Sequence, residues 1–347
     1  MSPDLAASLA PSLAETAIKM AVTLALLINV VPVMLWVERR GSALMQDRPG
    51  PNRLGPLGLF QGLADAMKFM FKEDVTPAAV DRVMFLSAPV LALLPALTTF
   101  SVIPFGPDLI FHGRTIPLLV ADTDAGVLLF LALASLGVYG LVMAGYGSNN
   151  KFSLLGSIRA SAQLISYELA LTLSVVAAIL PVGSFRLPDV IAYQQAHTWS
   201  VLPQILGFGV FVVASFAETN RLPFDLSEAE SELIAGFHTE YSAMRFATFF
   251  MAEYISMTSL AALGVTLYFG GWTLPGVHLG HGWIGALLGL AILMAKVGVA
   301  LAVFVWVRWT FPRFRYDQLM RLGWKVLLPI AIANFILVAV LTLSGVL

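Results

Sequence analysis

The chain has 347 residues, of which 58% are hydrophobic and 12% charged, with a formal net charge of −1 and a mean hydropathy of +0.84. Soluble domains carry about a quarter charged residues, so this composition excludes that class, and the lack of a basic excess excludes a nucleic-acid-binding face. With no cysteine, the chain can form no disulfide, no thiolate zinc site and no cysteine-ligated iron–sulfur cluster.

A spanning helix needs roughly 20 mostly apolar residues. Eight stretches qualify, at about 17–37, 82–104, 124–146, 162–182, 201–217, 244–269, 284–307 and 325–346. The first follows Asp4 and Glu15 and has no small-residue cleavage site after it, so it reads as a span and not as a removable signal. The expected fold is an all-α polytopic membrane protein forming a single membrane domain over 1–347, with no internal or inverted repeat. Sixteen of the 20 Lys and Arg residues lie in or beside the segments after spans 1, 3, 5 and 7. Only Lys19, Arg114 and Arg186 lie on the other side. That asymmetry predicts cytoplasmic or matrix placement of the basic segments, with both termini opposite.

The first basic segment, 38–81, passes from GluArgArg through the turn-rich RPGPNRLGPLG into a stretch of helical period. Over about 59–73, Phe60, Leu63, Met67, Met70 and Phe71 fall on one face, and Gln61, Asp65, Lys68 and Lys72 on the other. The spacing predicts a short amphipathic helix lying in the membrane interface. It reads either as an anchor or as the lip of an opening for a lipid-soluble ligand. The segments 105–123 and 183–200, on the opposite side, are rich in Pro, Gly and polar residues. Asp122 and Asp124 read there as an N-cap pair for span 3. His112, His197, His278 and His281 read as solvated loop residues.

Charges inside spans are informative because each costs about 2.5–3.5 kcal/mol at a helix centre on insertion scales. Span 4 carries Gln163, Tyr167 and Glu168, span 6 carries Glu253, and span 7 carries Lys296 near its middle. Such groups mark an ion or proton path, or form a structural pair such as Lys296 with a glutamate.

Between spans 5 and 6 the acidic loop 218–243, extended to Glu253, holds seven of the 21 acids: Glu218, Asp225, Glu228, Glu230, Glu232, Glu240 and Glu253. The only Lys or Arg residues there are Arg221 and Arg245. Pro223 stops span 5 from continuing, and Asp225 stands three residues before Glu228, a capping-box-like spacing for a helix starting at Leu226. On such a helix Glu228 and Glu232 share a face while Glu230 points away. Repelling, partly buried acids titrate together and can store protons near neutral pH. A solvated acidic loop is the competing reading. The last basic segment, WVRWTFPRFRYDQLMRLGWK, fits a headgroup anchor or a partner surface. No glycine-rich dinucleotide or phosphate loop and no pair of helix histidines is present. No metal, haem, flavin or NAD is therefore assigned to this chain, and any electrons come from another one.

Two stretches carry a resemblance: GLFQGLADAMKFMFKE (Gly58–Glu73) and PFDLSEAESELIAG (Pro223–Gly236). They resemble the signature segments of one membrane-subunit family of respiratory complex I, called subunit 1 in mitochondria and given the letter H in bacteria. ERRGSALMQDRPGPNRLGP (Glu38–Pro56), SNNKFSLLGSIRASAQLISYE (Ser148–Glu168), GFHTEYSAMRF (Gly236–Phe246) and PRFRYDQLMRLGWK (Pro312–Lys325) extend the likeness to every basic segment. The resemblance implies eight spans with an interfacial helix after the first. It implies a non-redox subunit of a proton-translocating NADH:quinone oxidoreductase, bound to lipids, to the quinone-site and iron–sulfur subunits of the peripheral arm, and to small and antiporter-like membrane subunits. It implies a quinone passage bordered by Arg39, Asp65 and Lys68. It implies an acidic coupling path through Glu38, Glu168, Glu218, Glu228, Glu230, Glu232 and Glu253, to which the charge of Lys296 is added, with Arg221 and Arg245 (and, from its capping position, Asp225) organising the loop. A related hydrogenase-type membrane complex and a stand-alone ion-coupled transporter are the competing functions. A bacterial inner membrane fits the length and loops better than a mitochondrial one.

Overall fold

Length and hydropathy decide which helices can cross a bilayer. The computed structural model of the chain describes residues 13–111, 114–227, 230–277, 279–280 and 282–345. Among the described residues, seven helices are long and apolar enough to cross. They are α1 (Leu13–Met45), α3 (Arg82–Thr99, continued by a 3₁₀ turn to Val102), α4 (Gly126–Gly147), α5 (Lys151–Ile179), α9 (Ala243–Tyr268), α10 (Trp283–Thr310), and α11 (Tyr316–Leu322), which runs through a π-helical turn into α12 (Leu328–Leu343). The eighth expected span is α7 (Ile205–Glu218), which has only 14 residues. At 1.5 Å per residue it rises about 21 Å, short of the roughly 30 Å hydrocarbon core. The remaining elements are α2 (Gln61–Phe71), the hairpin β1 (Leu109–Phe111) with β2 (Arg114–Ile116), α6 (Leu187–Ala196) and the one-turn α8 (Glu230–Leu233).

Small residues set the packing. In α4, a side chain at Gly140 would reach within 2.6 Å of the Ala92 nitrogen on α3, and one at Gly145 within 2.5 Å of the Ser153 carbonyl on α5. Bare backbone at both positions lets α4 lie close between its neighbours, as membrane helices require when apolar burial gives no net drive. α5 packs in turn on α7 and α12, and α9 packs on α3, α10 and α1. α9 is the most enclosed of the spans, and Tyr254, Ile255, Ala262, Leu263 and Leu267 along it are buried.

The amphipathic helix is present, with its faces set for lipid. Leu63, Met67, Met70 and Phe71 are exposed, while Asp65 is only 9% exposed and faces protein. Gly62 makes the close seat on α1, since a Cβ there would stand 2.7 Å from the Pro32 ring. An apolar face turned outward, with Asp65 turned inward and Lys68 and Lys72 left exposed, is the arrangement of a helix lying at the edge of acyl chains.

Two local expectations are corrected. The cap of α4 uses neither aspartate: its N-cap is Ala125, without a side-chain bond, and Asp122 instead accepts from Arg186 Nε at 2.6 Å, tying the segment before α4 to that before α6. Asp225 does not cap a helix from Leu226. Its carboxylate accepts from Arg313 Nη2 at 3.0 Å, and the helix that follows is described over Glu230–Leu233. An arginine from a distant segment takes the carboxylate in place of the local backbone, because it brings a full opposite charge that a backbone N–H lacks. The shared face of Glu228 and Glu232 lies outside the described residues, as do Asp4, His112, His278, His281 and the Glu230 side chain.

Candidate functional site

The break after α7 brings Arg221 into the protein, and that placement organises the site. Arg221 is 5% exposed. Its Nε lies 2.8 Å from Glu253 Oε1, a charge contact without an aligned N–H, and its Nη1 lies 3.9 Å from Glu38 Oε2. Glu38, from α1, also pairs with Arg308 of α10 and accepts from Tyr254 Oη of α9 at 2.6 Å. The Tyr254 ring lies under the guanidinium, 4.2 Å from its centre. Burial by itself would pull the Arg221 pKa down, but Glu253, Tyr254 and Glu38 outweigh it and raise it. Two acids and two arginines thus share a water-poor pocket where four elements meet. The Asp225–Arg313 pair extends it, with burial raising the Asp225 pKa against the pull of Arg313.

Glu253 also opens onto a cavity of about 90 Å³. Its polar lining comes from Glu253, Ser256, Ser259, Glu218, Thr219 and Asn220, and its apolar wall from α3 and α4, including Ala92, Pro95 and Phe130. A cavity of this size has room for several waters along its polar side. Glu218 Oε2 and Ser259 Oγ are buried without a protein partner, and buried polar atoms of that kind call for one. Beyond Glu218, the charge of Glu168 on α5 lies within electrostatic reach, and Glu168 accepts from Ser135 of α4. Gln163 fixes the α7 terminus between them, donating to the Ala217 carbonyl at 2.8 Å and to Asn220 Oδ1 at 3.1 Å. The order Glu38, Glu253, Glu218, Glu168 therefore runs from α1 across α9 and α7 to α5.

The other acids of the loop stand apart. Glu232 is exposed and bridges Arg159 at 2.5 Å, and Glu240 accepts from Asn150 Nδ2 at 2.6 Å. Arg245 ties the start of α9 to the segment before α3, through Asp74 Oδ2 at 2.9 Å and Thr76 Oγ1 at 2.8 Å. Arg39 and Lys68 both reach Asp65, the lysine at 3.6 Å, so the three residues of the expected passage do meet, at the seam of α1 and α2. Lys296 pairs with no glutamate among the described residues. Its Nζ donates to the carbonyls of Phe269, Gly271 and Thr273 at 2.6, 3.0 and 2.5 Å.

Sequence reasoning passed over Arg308, Tyr254, Asn220 and His238. Arg308 and Tyr254 look like an interfacial arginine and a core aromatic until the fold places them on Glu38. His238 is the only histidine of the acidic stretch. It is buried among Phe237, Phe246 and Phe250, and that burial lowers its pKa to about 4. The apolar residues flanking it in the sequence were the available signal.

A family pattern described as NADH dehydrogenase matches residues 18–339. The chain is 47% identical over 318 residues to the first of the H-type NADH-quinone oxidoreductase subunits of Geobacter metallireducens, covering 92% of this chain and 93% of that one. It is 50% identical over 303 residues to the H-type subunit of Leptospira biflexa, covering 84% and 85%. It is 45% identical over 341 residues to the H-type subunit of Salinibacter ruber, covering 95% and 96%.

Proposed function

Since the chain belongs to the NADH dehydrogenase family, as a complex I membrane subunit of the H type, we propose that its buried carboxylate row couples quinone reduction in neighbouring subunits to proton movement in the membrane. The observation that carries this reading is the continuity of Glu38, Glu253 and Glu218 across the Arg221 contact and the polar side of the cavity. Carboxylates held around one arginine in a water-poor site cannot change charge independently. A charge arriving at Glu38 shifts the balance of Arg221 between Glu38 and Glu253. Glu253 then gains or loses its hold on a proton, and waters in the cavity offer the relay to Glu218 and Glu168. No redox group of this chain takes part.

Quinone approaches, in this reading, along the seam between α1 and α2, where the Arg39–Asp65–Lys68 cluster borders the path and the outward apolar face of α2 meets the lipid. The basic segments face the cytoplasm of a bacterium and meet the quinone-site and iron–sulfur subunits. α7 completes eight crossings with the help of the turn that precedes it. Glu232 and the other exposed acids serve docking and loop shape. Lys296, bonded to carbonyls, serves structure and not the path.

The test is made in the assembled complex. Glu253→Gln and Glu218→Gln should each lower proton-coupled quinone reduction about a hundredfold, the low end for a positioned proton-transfer group. If both variants assemble and pump at the unmodified rate, the coupling role is wrong.

A further inference from the structure

Away from the acidic loop, two cavities share one wall. An apolar slot of about 290 Å³ lies among α7, α9 and α10, floored by Ala261, Gly264 and Val265 of α9. The stacked rings of Phe216 and Phe304, 4.0 Å apart, close its end toward the acidic loop. Val299 and Val303 line it and are exposed, so it opens sideways between α7 and α10. Its volume is roughly twice the ~150 Å³ apolar cavity that holds a benzene, which gives it room for on the order of ten carbons. Gly264 makes the floor: a Cβ there would stand 2.5 Å from the Phe211 ring.

Trp199 closes the other end and also lines a second cavity of about 270 Å³. That cavity presents Gln194, Gln195, His197, Thr198 and Thr273, and no carboxylate lines it among the described residues. The depth is right for a bilayer surface. From Arg308, which marks the Glu38 level, to Lys296 is twelve residues, about 18 Å of rise. The lysine stem then carries the ammonium further out, toward the far edge of a hydrocarbon core of roughly 30 Å. Trp199 packs there, 4.8 Å from the Lys296 ammonium, in the manner of an interfacial aromatic.

We infer that the two cavities form one binding site for a phospholipid of the leaflet opposite the acidic loop. One acyl chain fills the slot along α9. The phosphate lies in the upper cavity, where the Gln195 amide and the Thr198 hydroxyl supply donors and no carboxylate among the described residues lines the wall. The Lys296 charge, fixed on the carbonyls beneath, adds attraction without needing a free N–H. An apolar slot divided from a set of donors only by the Trp199 ring matches an amphipathic molecule whose chain and headgroup lie on either side of that ring, whereas an isoprenoid chain has nothing to offer the donors.

The test uses the intact complex in lipid nanodiscs with a phosphatidylglycerol carrying a diazirine near the middle of one chain. Labelling should concentrate on the slot, at Val299 and Val303, about tenfold over Leu287, an exposed α10 residue outside it. Ala300→Phe should cut that labelling about tenfold, the change given by losing burial of about two methylenes, while Leu287→Phe leaves it intact. Gln195→Ala with Thr198→Ala, both at exposed positions, should weaken retention of the lipid in native mass spectrometry without disturbing assembly. Equal labelling of Val299 and Leu287 would make the slot ordinary bilayer surface. Displacement by a long-tailed quinone but not by unlabelled phospholipid would assign it to an isoprenoid. Either result overturns the proposal.

Discussion

The acids of this chain divide into two groups that composition treats alike. Glu232 and Glu240 lie in the densest acidic stretch, yet each meets a single surface partner. Glu38, Glu253 and Glu218 are scattered over some 200 positions of sequence, yet adjoin one buried arginine or the cavity beside it, and Glu168 lies within electrostatic reach of Glu218. The difference teaches that local charge density locates a loop, while burial chosen by the fold decides which charges share one site. An exposed ion pair is worth about 0–1 kcal/mol. Removing one partner of a buried pair costs about 3–5 kcal/mol, because the charge left behind has no water to replace it.

The sharpest way to break this contrast is at its centre. Arg221→Gln leaves Glu38 and Glu253 facing each other without their shared cation. It should destabilise the junction by about 3–5 kcal/mol, visible as loss of assembled complex, with Glu253→Gln in the same chain recovering part of the loss, since Glu38 keeps Arg308. Next comes the titration of the loop wall. Burial holds His238 neutral, with a pKa lowered from 6.5 to about 4. An opened loop binds a proton below 6.5 that the closed one refuses until about 4. The stability that His238 contributes is therefore complete above pH 6.5 and is lost as pH falls toward 4, by roughly 3 kcal/mol at most. Hydrogen exchange over 236–250, corrected for intrinsic rates, should show the protection falling through that window, and His238→Phe should flatten it. A third measurement compares the links that fix the loop. Arg245→Gln releases both Asp74 and Thr76 and should raise exchange at the start of α9 several-fold, about 1 kcal/mol, with little effect on quinone turnover. The smallest effect belongs to the exposed acid: Glu232→Gln should change turnover and stability by less than about 1 kcal/mol. A Glu232 variant as damaging as one at Glu253 would erase the distinction between the groups.

Much was legible in advance because it depends on the solvent. A helix must satisfy its own backbone in lipid, so seven of the eight expected spans appear as helices long enough to cross, and the 3.6-residue period of 59–73 appears as α2. The short α7 was visible as the weakest of the eight stretches. Glu168 and Glu253 stood out because a carboxylate in an apolar run is costly wherever that run folds.

What the sequence by itself determined is therefore the membrane class, the gathering of the basic residues in alternate segments along the chain, the amphipathic helix and the acids set within apolar runs. The tertiary structure decided which acids lie together. Glu38, Arg221, Tyr254 and Arg308 come from four separate elements, and no periodicity links their positions. Asp225 was free to cap a local helix until Arg313 came within reach, and Lys296 was free to pair with a glutamate until the end of α9 offered it three carbonyls. Electrostatic partnership falls off over a few ångströms in space and is indifferent to separation along the chain, so only packing could make these choices. Of the acidic stretch at 218–253, the fold draws Glu218, Arg221 and Glu253 inward, and on these three the proposed coupling rests.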